Sequence, residues 1–439
     1  MPRNGYKLVN WYFGKEIEIP EEWEKVKLSE ECVGKAEYGA GISALEKNQR
    51  LPRYIRITDL NDDGSLRDSE WKSISNDDAS DYLLNEGDVL FARTGATVGK
   101  TYRYRKIDGK CAFAGYLIRF KPDNKNLDSE FLFYLTHSKI YWIWLLSIQT
   151  WGVQPNVNAE QYSNMPILLP PFPEQQKIAS ILSNVDNLIQ NTDKTIQQTK
   201  RLKKGLMQKI LTKGIGHTKF KKANFGGQIK IEIPESWDIS TLETISENGT
   251  QNGLAISTSD YGSGVPIVGM TKFYASEILT NDCMKEVMIS EKNKELFSLK
   301  SFDLLFGRRS MDGQPTGEAG KCIIVSEIKS PIIFESSVIR MSIKNEHNPF
   351  FIYQFFKSGL GKRIRIRIIR VSAVSGISSG DLKKIKIPLP SKTEQDCIVS
   401  ILSNVDSKIQ SQEQYKEKLE RLKKSLMQKL LTGQVRVAV

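Results

Sequence analysis

The chain has 439 residues, with 63 Lys and Arg against 51 Asp and Glu and a formal net charge of +12. That length allows more than one domain with its own core, and the excess of cations favours a polyanionic partner such as nucleic acid. Tyr141–Ile148, the longest strongly apolar stretch, is too short to span a bilayer, and Met1–Tyr6 is no signal peptide, so no membrane partner is expected. Five cysteines without a CxxC pair and three scattered histidines (His137, His217, His347) disfavour a disulfide framework or a zinc site. A reducing cytoplasm is the expected location, with no metal and no cofactor held by the chain.

Residues 1–165 read as a compact α+β domain, with strand-like runs such as Tyr54–Asp59 and Asp88–Ala92 between Gly, Asn and Asp turns. Arg93–Arg105 follows, and in it Arg93, Thr94, Lys100, Tyr102, Arg103 and Arg105 are candidate DNA contacts. Guanidinium forks suit guanine edges or phosphates, hydroxyls bind either, and glycines allow close backbone approach. On sequence grounds the cluster is equally a basic turn. Thr94–Thr101 nearly spells a phosphate-binding loop, but threonine stands where the first glycine is needed, so nucleotide hydrolysis is not expected. Leu169-Pro-Pro-Phe172 likewise lacks the polar first residue of the adenine methyltransferase motif.

Residues 166–222 begin at a proline-rich boundary and continue with apolar residues at threes and fours: Ile178, Leu182, Val185 and Ile189, then Ile196, Leu202, Leu206 and Ile210. This predicts a helix of about 36 residues, roughly 54 Å long, stopped by Gly214.

A second α+β domain, residues 223–385, carries runs such as Val265–Gly269, Lys321–Val325 and Ser337–Ile343. Its candidate DNA contacts are Arg308, Arg309, Ser310 and Gln314, placed as Arg93 is in the first domain, with Arg363, Arg367 and Arg370 for phosphates. By period two Lys362–Arg370 reads as a strand showing Arg363, Arg365 and Arg367, yet the matching Lys139–Leu146 looks helical.

Residues 386–439 repeat the helix. Ser391 and Glu394 have capping-box spacing, and Ile398, Leu402, Val405 and Ile409 are followed by Leu419, Leu422, Leu426 and Leu430 before Gly433. Ser180–Asp186 returns letter for letter as Ser400–Asp406, and Arg201–Thr212 returns as Arg421–Thr432, both displaced by 220 residues. Between Trp23 and Trp237 the displacement is 214, so the second variable segment is about six residues longer. One two-part module was therefore duplicated. The natural partner of each apolar stripe is the other helix, with Thr192, Gln412 and Lys416 making the register specific; packing on its own globular segment is the alternative.

Two divergent domains separated by near-identical helices, with Glu-Gln…Ile…Ser-Ile-Leu…Asp and the Arg-Leu-Lys-Lys…Leu-Met-Gln-Lys ending, resemble the specificity subunit of type I restriction-modification systems. The resemblance covers essentially the whole chain. It implies two target recognition domains (1–165 and 223–385), each binding half of an asymmetric bipartite site in double-stranded DNA. It also implies helical spacers (166–222 and 386–439) that form an antiparallel coiled coil, with a pseudo-two-fold duplication. Two methylation subunits would dock along the helices and two restriction subunits would join them, holding the methyl donor, ATP and magnesium. The chain itself would have no catalytic residue. A coiled-coil scaffold without DNA binding and a P-loop nucleic-acid ATPase are the alternatives.

Overall fold

The computed structural model describes residues 2–12, 15–148, 155–257, 260–280, 284–309, 319–369 and 376–438. Residues 1–193 with 414–439 form one compact unit, and residues 194–413 form a second. The boundaries fall at matching points of the repeat, inside both long helices. Each unit thus holds one globular domain, half of one helix and the opposite half of the other.

Both units are built alike. Each globular domain opens with a hairpin, Tyr6–Tyr12 with Lys15–Pro20 and Phe220–Asn224 with Lys230–Pro234. The register is the same, Tyr6 facing Pro20 and Phe220 facing Pro234. Residues 220–222, expected in the helical spacer, are therefore strand. Pro166–Leu169 pairs with Glu24–Lys27 and Lys386–Leu389 with Asp238–Thr241, so each spacer also begins as a strand of its domain.

The central sheet of the first unit has the order Glu37–Tyr38, Leu117–Phe120, Val89–Ala92, Thr101–Arg103. In the second unit Gln251–Asn252, Val338–Met341, Leu304–Gly307 and Cys322–Val325 follow the same order, extended by Ile278–Leu279. Val89–Ala92, Leu304–Gly307 and Cys322–Val325 are buried throughout, which is why they read as continuous apolar runs instead of alternating ones. Val89–Ala92 turns back antiparallel into Thr101–Arg103, with Phe91 facing Thr101. A phosphate-binding loop needs a helix there, and the near-motif is a hairpin turn.

The long helices run Phe172–Lys213 and Lys392–Leu430, 42 and 39 residues. At 1.5 Å per residue they measure about 63 and 58 Å. In the first unit Asp186 pairs with Lys423 and Asp193 with Lys416, each at 2.6 Å, which sets the two segments antiparallel. The second unit joins Lys203 to Asp406 and Lys200 to Glu413. Asp186–Lys423 and Lys203–Asp406 are the same contact seen in the two repeats.

Ile178, Leu182, Val185, Ile398, Leu402 and Ile409 are buried, while Ile189, Leu206, Val405 and Leu426 are partly covered. Leu202 and Leu422, expected in the seam, are 64% and 47% exposed. A seam advancing by threes and fours from Ile196 passes through Thr199 and Lys203, whereas Leu202 lies six residues on, about 240° around the helix. The lysine stems occupy that layer and carry their amines to the aspartates.

What starts each long helix is a tryptophan. Trp23 and Trp237 are fully buried and donate their indole N–H to Glu174 (3.1 Å) and Glu394 (2.9 Å) in the helices' first turns. Arg436 donates to both oxygens of Glu174, and Glu394 accepts from the His217 ring and the Ile215 N–H. Gln175 and Gln395, next in sequence, donate to Pro170 and Pro390 carbonyls at 2.8 Å and accept from the Asp128 and Asn348 N–H groups. The Ser391 hydroxyl accepts from the Glu394 N–H, but the Glu394 carboxylate is spent on Trp237 and His217, so the expected capping box is half made.

Leu402→Ala should destabilise the protein by about 2–5 kcal/mol and Leu422→Ala by no more than about 0.5 kcal/mol, read as midpoint shifts in urea unfolding. Glu174→Ala, which orphans a buried indole N–H and leaves the Arg436 guanidinium with Glu22 alone, should cost about 2–3 kcal/mol by the same measurement.

Candidate nucleic-acid interface

Each central strand ends in an arginine. Arg93 follows Ala92, and Arg308 follows Gly307. The Arg93 N–H donates to the Tyr116 carbonyl (3.1 Å), and its carbonyl accepts from the Val157 N–H (2.9 Å). The Arg308 N–H donates to the Ser337 carbonyl (2.8 Å), and its carbonyl accepts from the Ile377 N–H (2.9 Å). Identical backbone frames thus present the two side chains. The Arg93 guanidinium lies 4.9 Å from the centre of the Tyr38 ring, and its Nε is buried without a hydrogen-bond partner, as is Asn156 Oδ1. Arg308 instead approaches the Ser336 carbonyl at 3.5 Å. A buried guanidinium N–H without an acceptor costs free energy that an incoming acceptor recovers.

A second backbone clasp flanks each arginine. The Gly115 N–H donates to Ala40 and the Ala114 N–H to Ile55; the Ser336 N–H donates to Leu254 and the Glu335 N–H to Val268. Glycine is required beside both clasps, since a Cβ on Gly39 or Gly253 would stand 2.4 or 2.2 Å from the neighbouring carbonyl oxygen. Beside the first clasp opens a cleft of about 620 Å³ lined by Ile42, Tyr54, Arg56, Thr58, Ala114 and Tyr116.

Most cations of the first basic cluster are already tied. Lys100 pairs with Asp62 (2.6 Å), Arg105 with Asp108 (3.3 Å), and Arg103 donates to the Ser129 hydroxyl (2.9 Å). Thr94 bridges to Asn156 beside Arg93. Tyr102 is 1% exposed and donates its hydroxyl to Asp108, so it belongs to the core and not to a DNA-facing surface. The sheet is covered on both faces here: Thr101 meets Thr136 on one side and Tyr102 packs into the core on the other.

In the second unit Arg309 is exposed and its carbonyl accepts from the Tyr274 hydroxyl. Ser310, Gln314 and Arg370 lie outside the described residues. Arg363 and Arg367 stand exposed on the helix Gly359–Arg367, so the period-two reading of this cluster as a strand is corrected. Helical geometry turns Leu360, Ile364 and Arg365 inward together. Arg367 lies against Gly226 and Gly227 at the hairpin tip, where a Cβ would meet its guanidinium at 2.7 and 2.6 Å.

Tyr38, Tyr116, Asn156 and Glu335 are not singled out by their sequence surroundings, which hold no cluster of Lys and Arg. A signal did exist: Phe113-Ala-Gly-Tyr-Leu-Ile-Arg-Phe120 is echoed by Phe334-Glu-Ser-Ser-Val-Ile-Arg-Met341.

The family model described as type I restriction modification DNA specificity domain matches residues 20–201 and again residues 234–421. The type I restriction enzyme MjaVIII specificity subunit of Methanocaldococcus jannaschii is 28% identical over 438 residues, spanning 98% of this chain and 97% of its own. The crystal structure of the HsdS subunit from Thermoanaerobacter tengcongensis superimposes with a TM-score of 0.51 at 17% identity, covering 97% of this chain and 100% of that one. A type I restriction-modification S subunit from M. genitalium gives a TM-score of 0.54 at 14% identity over 93% of this chain and 96% of its own. These two likenesses are of fold.

Tyr102→Phe deletes one hydrogen bond from the core and should lower stability by about 1 kcal/mol in thermal unfolding while leaving any DNA affinity unchanged.

Proposed function

The chain belongs to the family of type I restriction modification DNA specificity domains, and on that premise we propose that its two globular domains each read one half of an asymmetric, bipartite site in double-stranded DNA. The observation that carries the reading is the pair of strand-end arginines, Arg93 and Arg308, held in matching backbone frames with different neighbours. A common frame with different side chains is what two readers of two different half-sites require. The chain supplies sequence specificity and performs no catalysis.

The repeated helices support a further role as spacer and docking platform. Arg201 and Lys204 are exposed, as are their counterparts Arg421 and Lys424. Two copies of one partner bind naturally to a surface presented twice. We assign that surface to two methylation subunits, with two restriction subunits completing a cytoplasmic complex. Methyl donor, ATP and magnesium belong to those partners. In this reading the helices set the gap between half-sites.

Adenine methylation mapped across a genome, with this chain and its methylation subunit co-expressed, should return a split, asymmetric motif. One continuous palindrome, or no motif from a stable complex, would overturn the reading. Arg93→Ala should weaken duplex binding by about 1–3 kcal/mol and relax one position of one half-site. Binding should also fall as salt rises; a scaffold without a DNA role would show no such dependence.

A further inference from the structure

The two clasps beside the strand-end arginines match in backbone, and among the side chains they exchange only one is charged, Glu335. Ala114 and Glu335 occupy the same place: each donates its N–H across to the neighbouring strand, to Ile55 and to Val268, and each carbonyl accepts from the third residue on, Leu117 and Val338. Alanine leaves the cleft of the first domain open. Glutamate puts a carboxylate at the matching place in the second domain. Its Oε1 accepts from the Met270 N–H at 2.8 Å and from the Ser337 hydroxyl, while Oε2 has the Tyr261 hydroxyl at 3.5 Å. One oxygen is thus fixed and the other retains acceptor capacity, on a half-buried side chain. The Ser336 carbonyl, one residue along, faces the Arg308 guanidinium.

We infer that Glu335 is a specificity-determining residue of the second domain, accepting a hydrogen bond from the N4 amine of a cytosine in the major groove. The inference rests on the reading of these domains as DNA readers. The chemistry follows from base edges. Guanine shows only acceptors, and thymine shows an acceptor and a methyl, so both repel or waste a carboxylate. Adenine sets its amine beside the N7 acceptor, which opposes the second carboxylate oxygen. Cytosine presents its amine without that neighbour, and its paired guanine offers O6 and N7, the acceptors an arginine fork matches. Arg308 and Glu335 together therefore complement one G·C pair. Ala114 brings no acceptor to the first domain, so the two half-sites differ at this position.

A merely structural role is the competing account, since Glu335 also holds the first turn of the short helix Met270–Ala275. The test is methylation mapping with the full chain in its complex, comparing the wild type with Glu335→Gln, Glu335→Ala and the reciprocal Ala114→Glu. Glu335→Gln and Glu335→Ala should cut the preference for cytosine at one position of one half-site about 10-fold or more and leave the other half-site intact. A changed melting temperature with an unchanged motif would overturn the inference and leave a structural brace. Should both variants fail to fold, Ala114→Glu decides: a new cytosine preference confined to the first domain's half-site supports the assignment, and an unchanged motif defeats it. A wild type that yields no split motif refutes the underlying reading instead.

Discussion

A buried indole N–H donating to a carboxylate in the first turn of a long helix is the contact on which each unit turns. Trp23 with Glu174 and Trp237 with Glu394 place the helix start against the hairpin that opens the repeat. The adjoining glutamine carries the connection into the globular domain, by accepting from the N-terminus of the helix that begins after Asp128 or Asn348. A carboxylate is well suited to this place, because the helix N-terminus favours negative charge and the buried indole needs an acceptor. The Ile-Pro-Glu-Xaa-Trp segment and the Glu-Gln pair, far apart in sequence, are the two sides of one joint.

Much of this was legible from periodicity and repetition. Apolar residues at threes and fours located both long helices, and the displacement of 220 residues announced the duplication. Periodicity failed where composition outvoted phase. Leucine at 202 and 422 looked like seam, yet the seam layer belongs to Lys203 and Lys423, whose charge is answered by aspartates no local pattern reveals. Alternating Arg and Ile fits a strand or a helix equally over so short a run, and tertiary packing of Ile364 chose the helix.

The candidate site was harder to read for a related reason. Basic clusters draw the eye, but Lys100, Arg103 and Arg105 spend their charge on Asp62, Glu86 and Asp108 within the same domain. Arg93 and Arg308 stand at matching strand ends, as their matching places in the two sequence repeats lead one to expect. Their neighbours, Tyr38, Asn156 and Glu335, arrive from distant segments through backbone pairing. Such convergence leaves no trace in spacing; it becomes visible when the two halves are compared at matching backbone positions.

The boundary between units has a consequence for biosynthesis. The second unit is contiguous, residues 194–413, whereas the first combines residues 1–193 with the last stretch, 414–439. Leu430 and Leu431 fill the first unit's core, and Arg436 closes on Glu174. A ribosome working from the N-terminus therefore releases the material for the later domain's fold before the earlier one can finish, reversing the usual order of domain-wise folding. A chain that stops short of its last helical turns leaves Trp23, Glu174 and an apolar helix face uncovered.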